Sequence, residues 1–96
     1  MSKIYKNQSN CRITLTVGVS ILGAITTSIK YRKPNGTEGS FDATVSDETT
    51  GVIYYDFTDD ELDASGVWTF WSYVVFADGR DAPGEPVRIK VWEEGT

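Results

Sequence analysis

The sequence predicts an all-β sandwich of about seven antiparallel strands, and three observations carry the prediction. Runs of alternating apolar and polar residues recur at short spacing between clusters of Gly, Pro, Asn and Asp. No amphipathic segment of helical length competes with them. The stretch DASGVWTFWSYVVF, residues 63–76, reads as a long strand with large apolar side chains on both faces. The chain has 96 residues, which makes one domain, 1–96, able to bury roughly 60% of its unfolded surface without metals or disulfides.

Taken in order, residues 3–6 predict a short edge strand and residues 11–17 a cleanly alternating one, CRITLTV. Cys11 alternates there with Ile13, Leu15 and Val17, which reads as a small core residue rather than a reactive thiol. The glycines of GVSILGA, residues 18–24, allow a bend, with Val19, Ile21 and Ala24 dipping inward. Residues 25–33 form the next strand. Ile25, Thr27, Ile29 and Tyr31 share its inner face, and Thr26, Ser28, Lys30 and Arg32 its outer one. Pro34-Asn35-Gly36 is the strongest turn signal, because proline sets φ at the first corner and Asn-Gly tolerates positive φ after it. A hairpin or a sheet-crossing corner belongs there.

Phe41, Ala43 and Val45 alternate next, and residues 52–57 are rich in β-formers. Asp59-Asp60-Glu61-Leu62 predicts one helical turn, capped by Thr58 or Asp59 and plugged by Leu62. In the strand that follows, Trp68, Phe70, Ser72, Val74 and Phe76 share the core face, while Val67, Thr69, Trp71, Tyr73 and Val75 share the other. Residues 77–80 make a tight turn and 83–86 an irregular loop. In the last strand Val87, Ile89 and Val91 point inward, and Arg88, Lys90 and Trp92 outward. The spacing of Gly66, Trp68 and Phe70 matches the corner of immunoglobulin-like domains, with Phe70 where antibody domains carry a cysteine and Trp68 where they carry a tyrosine. The fold class is therefore an immunoglobulin-like β-sandwich.

Composition excludes several functions. A net charge of −5 argues against a sequence-independent nucleic-acid binder. With no run of about 18 apolar residues, no membrane span is expected, and MSKIYKNQSN lacks the apolar region of a signal peptide. The sequons at Asn7 and Asn35 read as chance in a chain without such a peptide. No histidine and one cysteine leave no nucleophile–base pair and no zinc ligand set, so neither catalytic residues, metal nor cofactor is expected. The run Asp59, Asp60, Glu61 and Asp63 could suit calcium but reads as a solvated, helix-capping turn.

Nearly the whole chain, residues 4–91, resembles a family of small immunoglobulin-like domains of tailed-bacteriophage structural proteins. The residues that carry the resemblance are the turn Lys33-Pro34-Asn35-Gly36-Thr37 and the set Leu62, Gly66 and Trp68. It implies a non-enzymatic virion protein, made in the host bacterial cytoplasm, that docks to capsid, neck or tail subunits or to copies of itself. A head decoration subunit is the expected form, since the chain ends at Thr96 with no shaft after it. A carbohydrate-binding module attaching to host glycans is the alternative, and a bacterial adhesin fragment is disfavoured by the missing signal peptide.

The residues expected to do the binding lie on the outer face of the central sheet. Lys30, Arg32, Trp71, Tyr73, Arg88, Lys90 and Trp92 share that face by the alternation of their strands, so aromatic and basic side chains meet in an otherwise acidic protein. Aromatics and arginine dominate protein interfaces, and aromatic platforms also suit sugars. The plain counter-reading is that Lys and Arg stems cover two tryptophans on a solvated face.

Overall fold

The computed structural model describes residues 4–9, 11–58, 60–93 and 95. Its strands are β1 (Ile4–Tyr5), β2 (Arg12–Thr16), β3 (Ala24–Arg32), β4 (Glu38–Asp42), β5 (Thr44–Asp47), β6 (Val52–Asp56), β7 (Gly66–Phe76), β8 (Asp81–Pro83) and β9 (Val87–Trp92). The larger sheet runs β1-β9-β7-β3-β4, with β8 hydrogen-bonded to β7 beyond the end of β9, and the smaller runs β2-β6-β5. The two sheets form an immunoglobulin-like sandwich of 46 × 24 × 20 Å. No helix occurs among the described residues.

Several local expectations are corrected. Among the described residues there are nine strands where about seven are expected, and β1 pairs with β9 in parallel rather than antiparallel. Lys3, expected to open the first strand, lies outside the described residues. Pro34-Asn35-Gly36 closes a hairpin, with the Lys33 amide donating to the Thr37 carbonyl at 2.8 Å and Gly36 at φ 90°. The sheet crossing comes later, inside the run 41–45. There Ala43 leaves the larger sheet, held by its amide on the Thr27 carbonyl at 3.0 Å and by the Thr27 hydroxyl on its own carbonyl at 2.8 Å. Alternation cannot reveal such a crossing, because both halves keep period two. The irregular loop expected at 83–86 begins as a paired strand, since β8 matches Pro83 to Tyr73 and Asp81 to Val75.

The loop expected to dip inward does so at Ile21, whose amide donates to the Glu48 carbonyl at 2.8 Å and which is fully buried, and in part at Ala24, which packs against the core. Val19 is 54% exposed and Ile25 67%. A register shift between Ala24 and Thr26 explains Ile25: the bulge removes it from the inner row that continues through Thr27, Ile29 and Tyr31. Val87, expected inside, is also exposed where β9 begins, as is Val45 on the edge strand β5.

The core is assembled from Ile13 and Leu15 of β2, Ile29 of β3, Ile53 of β6, Trp68, Phe70 and Val74 of β7 and Val91 of β9, with Ile21, Phe57 and Leu62 from the connections. Phe76 packs partly buried against it. A closed circuit of six rings runs through this core. Tyr31 stacks on Phe41 at 4.8 Å, Phe41 on Tyr55 at 4.5 Å, Tyr55 meets Phe57 edge-on at 5.5 Å, and Phe57 touches Phe70 at 6.0 Å. Phe70 stacks on Trp68 at 5.8 Å, and Trp68 returns to Tyr31 at 5.6 Å. Each contact lies in the favourable centroid range for aromatic pairs. Tyr31 also lies across Gly39, its partner on β4, so closely that a Cβ there would collide with its ring and hydroxyl.

The corner before β7 explains how a tryptophan replaces the expected tyrosine. Trp68 is fully buried, and its indole N–H donates to the Ala64 carbonyl at 2.9 Å. An immunoglobulin-type corner tyrosine bonds backbone a few residues upstream in the same way. The predicted helical turn at 59–62 is corrected to a non-helical one, with Asp60 at φ 65° and Asp59 outside the described residues. It keeps half of a capping box: the Thr58 amide donates to Glu61 Oε1 at 2.6 Å. The Tyr55 hydroxyl donates to Glu61 Oε2, also at 2.6 Å, and Leu62 plugs the core as expected.

This Tyr55–Glu61 contact shifts both groups. Burial, followed by the hydrogen bond to Glu61, pushes the Tyr55 hydroxyl up to about 12. Burial works to raise the Glu61 carboxyl, but the Thr58 amide and the Tyr55 hydroxyl outweigh it and hold it below its ordinary value.

Two predictions follow from this packing. Gly39→Ala forces Tyr31 out of the aromatic circuit and should lower stability by about 1–3 kcal/mol, read as a lower urea midpoint at unchanged slope. Tyr55 favours folding below its ordinary pKa, and that contribution is lost as pH rises through about 12. Glu61 favours folding above its ordinary value, and that contribution is lost as pH falls through its lowered folded value. Tyr55→Phe should therefore flatten the decline of the thermal midpoint at both ends of a pH series, and an unchanged profile would remove the pair from the account.

Candidate functional site

Register places the predicted residues on one surface. Across the larger sheet Ser40 lies opposite Lys30 and Lys30 opposite Trp71, while Glu38 lies opposite Arg32, Arg32 opposite Thr69 and Thr69 opposite Arg88. Ser28 faces Tyr73, and Val67 faces Lys90. Because Trp68, Phe70, Ser72 and Val74 are buried inward, alternation turns Trp71 and Tyr73 to the outer face. The pairing of β9 with β7 is in register from Val87 to Val91, so no bulge displaces Arg88 or Lys90. Trp92 lies at the far end of the sheet, beside Tyr5 of β1, and is separate from the cluster around Trp71.

The cations hold defined places. Lys30 Nζ lies 3.8 Å from the centre of the Tyr73 ring and Lys90 Nζ 3.9 Å from that of Trp92. The Arg32 guanidinium lies farther off, 5.9 Å from the Trp71 ring, and donates through Nε and Nη2 to Glu38 Oε2 at 2.9 and 2.7 Å. Such exposed contacts contribute about 0.5–1 kcal/mol each at most. The Tyr73 hydroxyl donates to Asp81 at 2.7 Å, and this hydrogen bond raises its pKa. Arg88 is exposed and has no hydrogen bond or ion pair among the described residues.

Trp71 is half-buried between two shallow depressions. One, of about 310 Å³, is bounded by Arg32, Thr69, Gly84, Pro86 and Arg88. The other, of about 300 Å³, is bounded by Lys30, Glu38, Gly39 and Ser40. Sequence reasoning missed Glu38 and Ser40, although the hairpin centred on Pro34-Asn35-Gly36 sets Arg32 against Glu38. Gly84 and Pro86 carried no sequence signal, because they reach this wall only through the loop that follows β8.

The smaller sheet is different outside. Arg12, Thr14, Thr16, Tyr54 and Asp56 face outward there, with Arg12 paired to Asp56 at 2.6 Å. The acidic run considered for calcium is dispersed, since Glu61 serves Tyr55 and Thr58, Asp63 pairs with Lys33 at 2.9 Å and Asp59 lies outside the described residues. The donor set also fits a transition-metal centre poorly: the chain has no histidine, one cysteine and one methionine, and no three His, Cys, Asp or Glu side chains gather among the described residues. Burial raises the Cys11 thiol above its ordinary value, away from the thiolate that binds metals.

No family model and no curated protein matches the chain. Among solved structures, CopC from Methylosinus trichosporium OB3b is similar over 100% of this chain and 89% of its own, with a TM-score of 0.60 and 17% identity. The shared fold is the β-sandwich. This neighbour also corrects the expectation of a virion structural subunit, because it points away from such a role.

The two tryptophans of β7 should separate in their effects. Trp68→Ala should cost about 3–5 kcal/mol. Trp71→Ala should cost about 1 kcal/mol or less, read by thermal unfolding, which leaves Trp71 available as a probe of binding.

Proposed function

We propose that the protein is a non-catalytic binding module that docks a partner protein against the outer face of its larger sheet, with Trp71 as the anchor. The observation that carries this reading is the placement of Trp71 between two depressions, each bounded by side chains from neighbouring strands or loops. A half-buried aromatic flanked by hollows suits a partner whose side chains fill them, since interface energy concentrates at such anchors and the surrounding contacts exclude water. Glycan stacking is less well served. Tyr73 and Trp92 already carry their own cations close over their rings, and a sugar would have to displace these. Nor do Lys30 and Arg32 merely cover Trp71: Lys30 sits on Tyr73 and Arg32 is held by Glu38.

A photo-crosslinking residue at position 40, which bounds the depression beside Trp71 and leaves the anchor intact, should capture one discrete partner in cells that make the protein. The same residue at position 14, on the outer face of the smaller sheet, should capture none. Equal capture from both positions, or none from 40, overturns the reading.

A further inference from the structure

We infer that the depression between Trp71 and Arg88 receives a carboxylate side chain from an acidic segment of the partner. This rests on the reading of the sheet face as a protein-docking surface and adds the chemistry of what docks there.

Charge complementarity at the hollow carries it, because Arg32 and Arg88 bound it and none of the residues bounding it is acidic. Four of the nine lysines and arginines of the chain, Lys30, Arg32, Arg88 and Lys90, lie on this face, while the chain as a whole carries −5. Glu38, Asp42 and Asp81 share the face, and Glu85 adjoins Gly84. Glu38 is engaged by Arg32, and Asp81 accepts the hydroxyl of Tyr73. Of the four cations, Lys30 and Lys90 lie on aromatic rings and Arg32 is ion-paired, so Arg88 is the one with no such contact among the described residues. It bounds the depression of about 310 Å³ together with Arg32, Thr69 and Trp71. A planar guanidinium beside a hydroxyl matches the geometry of a carboxylate, which it can bind through two parallel N–H donors. The adjacent indole provides an apolar wall for the methylenes of a glutamate, in a hollow at the lower end of the size range of ligand sites.

The test titrates the 15N-labelled protein with a Glu/Asp-rich peptide, a Gln/Asn peptide of equal length and an oligogalacturonate. The signals followed are the Trp71 indole N–H and the Arg88 Nε–H. The acidic peptide should shift both, with binding that weakens as salt is added. Arg88→Gln should weaken it about tenfold, and Arg88→Lys should restore only part. The inference is overturned if the neutral peptide shifts the two signals as far, if the oligogalacturonate alone shifts them, if none of the three does, or if Arg88→Gln binds like the parent. Discrete crosslinking from position 40 of the parent, together with peptide binding unchanged by Arg88→Gln, would leave the docking surface standing and remove only the carboxylate. Absence of discrete crosslinking from position 40 of the parent would remove the surface itself.

Discussion

The rest of the structure depends on the seating of Trp68. Its indole is fully enclosed, its N–H is satisfied by the Ala64 carbonyl, and its ring contacts both Phe70 and Tyr31. An indole buried without a partner for its N–H would carry a desolvation cost comparable to a lost hydrogen bond. The chain meets that requirement within four residues, at the corner that launches β7. Once Trp68 points inward, period two settles the direction of every side chain along the eleven residues of β7, and Trp71 must face out. The binding surface is thus a geometric consequence of the core.

The aromatic circuit joins what the backbone does not. The two sheets share no strand ladder, so they are held by side chains: Tyr31, Phe41, Trp68 and Phe70 from one, Tyr55 and Phe57 from the other. The circuit also accounts for the glycine on β4. Tyr31 can reach Phe41 and Trp68 together only by lying over a strand position with no side chain, which Gly39 provides. The polar rim of Tyr55 and Glu61 closes the circuit where β6 ends, and two shifted ionisations mark it.

Much of the fold was legible in the sequence because alternation is strong in β2, β3, β7 and β9. The same alternation assigns Lys30, Arg32, Trp71, Tyr73, Arg88 and Lys90 to one face. It failed where the physical signal is weak. The bulge that turns Ile25 outward inserts a residue without changing composition. The crossing at Ala43 keeps the period while changing the sheet, and β8 is too short and too rich in turn residues to read as a strand. The inference about biological setting failed for a different reason. Gly66, Leu62 and Trp68 report how a sandwich turns its corner, and many proteins turn it that way, so the virion role did not survive the structural likeness to CopC.

By itself the sequence determined an all-β sandwich, the inward and outward faces of its long strands and the absence of histidine-based chemistry. Those properties follow from residue type and period, which are local. Only the tertiary structure decided that Trp71 stands between two depressions, that Arg32 is occupied by Glu38 while Arg88 is not, and that Trp92 lies apart at the end of the sheet. Those facts depend on how strands distant in sequence are matched residue to residue and on a loop that reaches the face after β8. No periodicity encodes either.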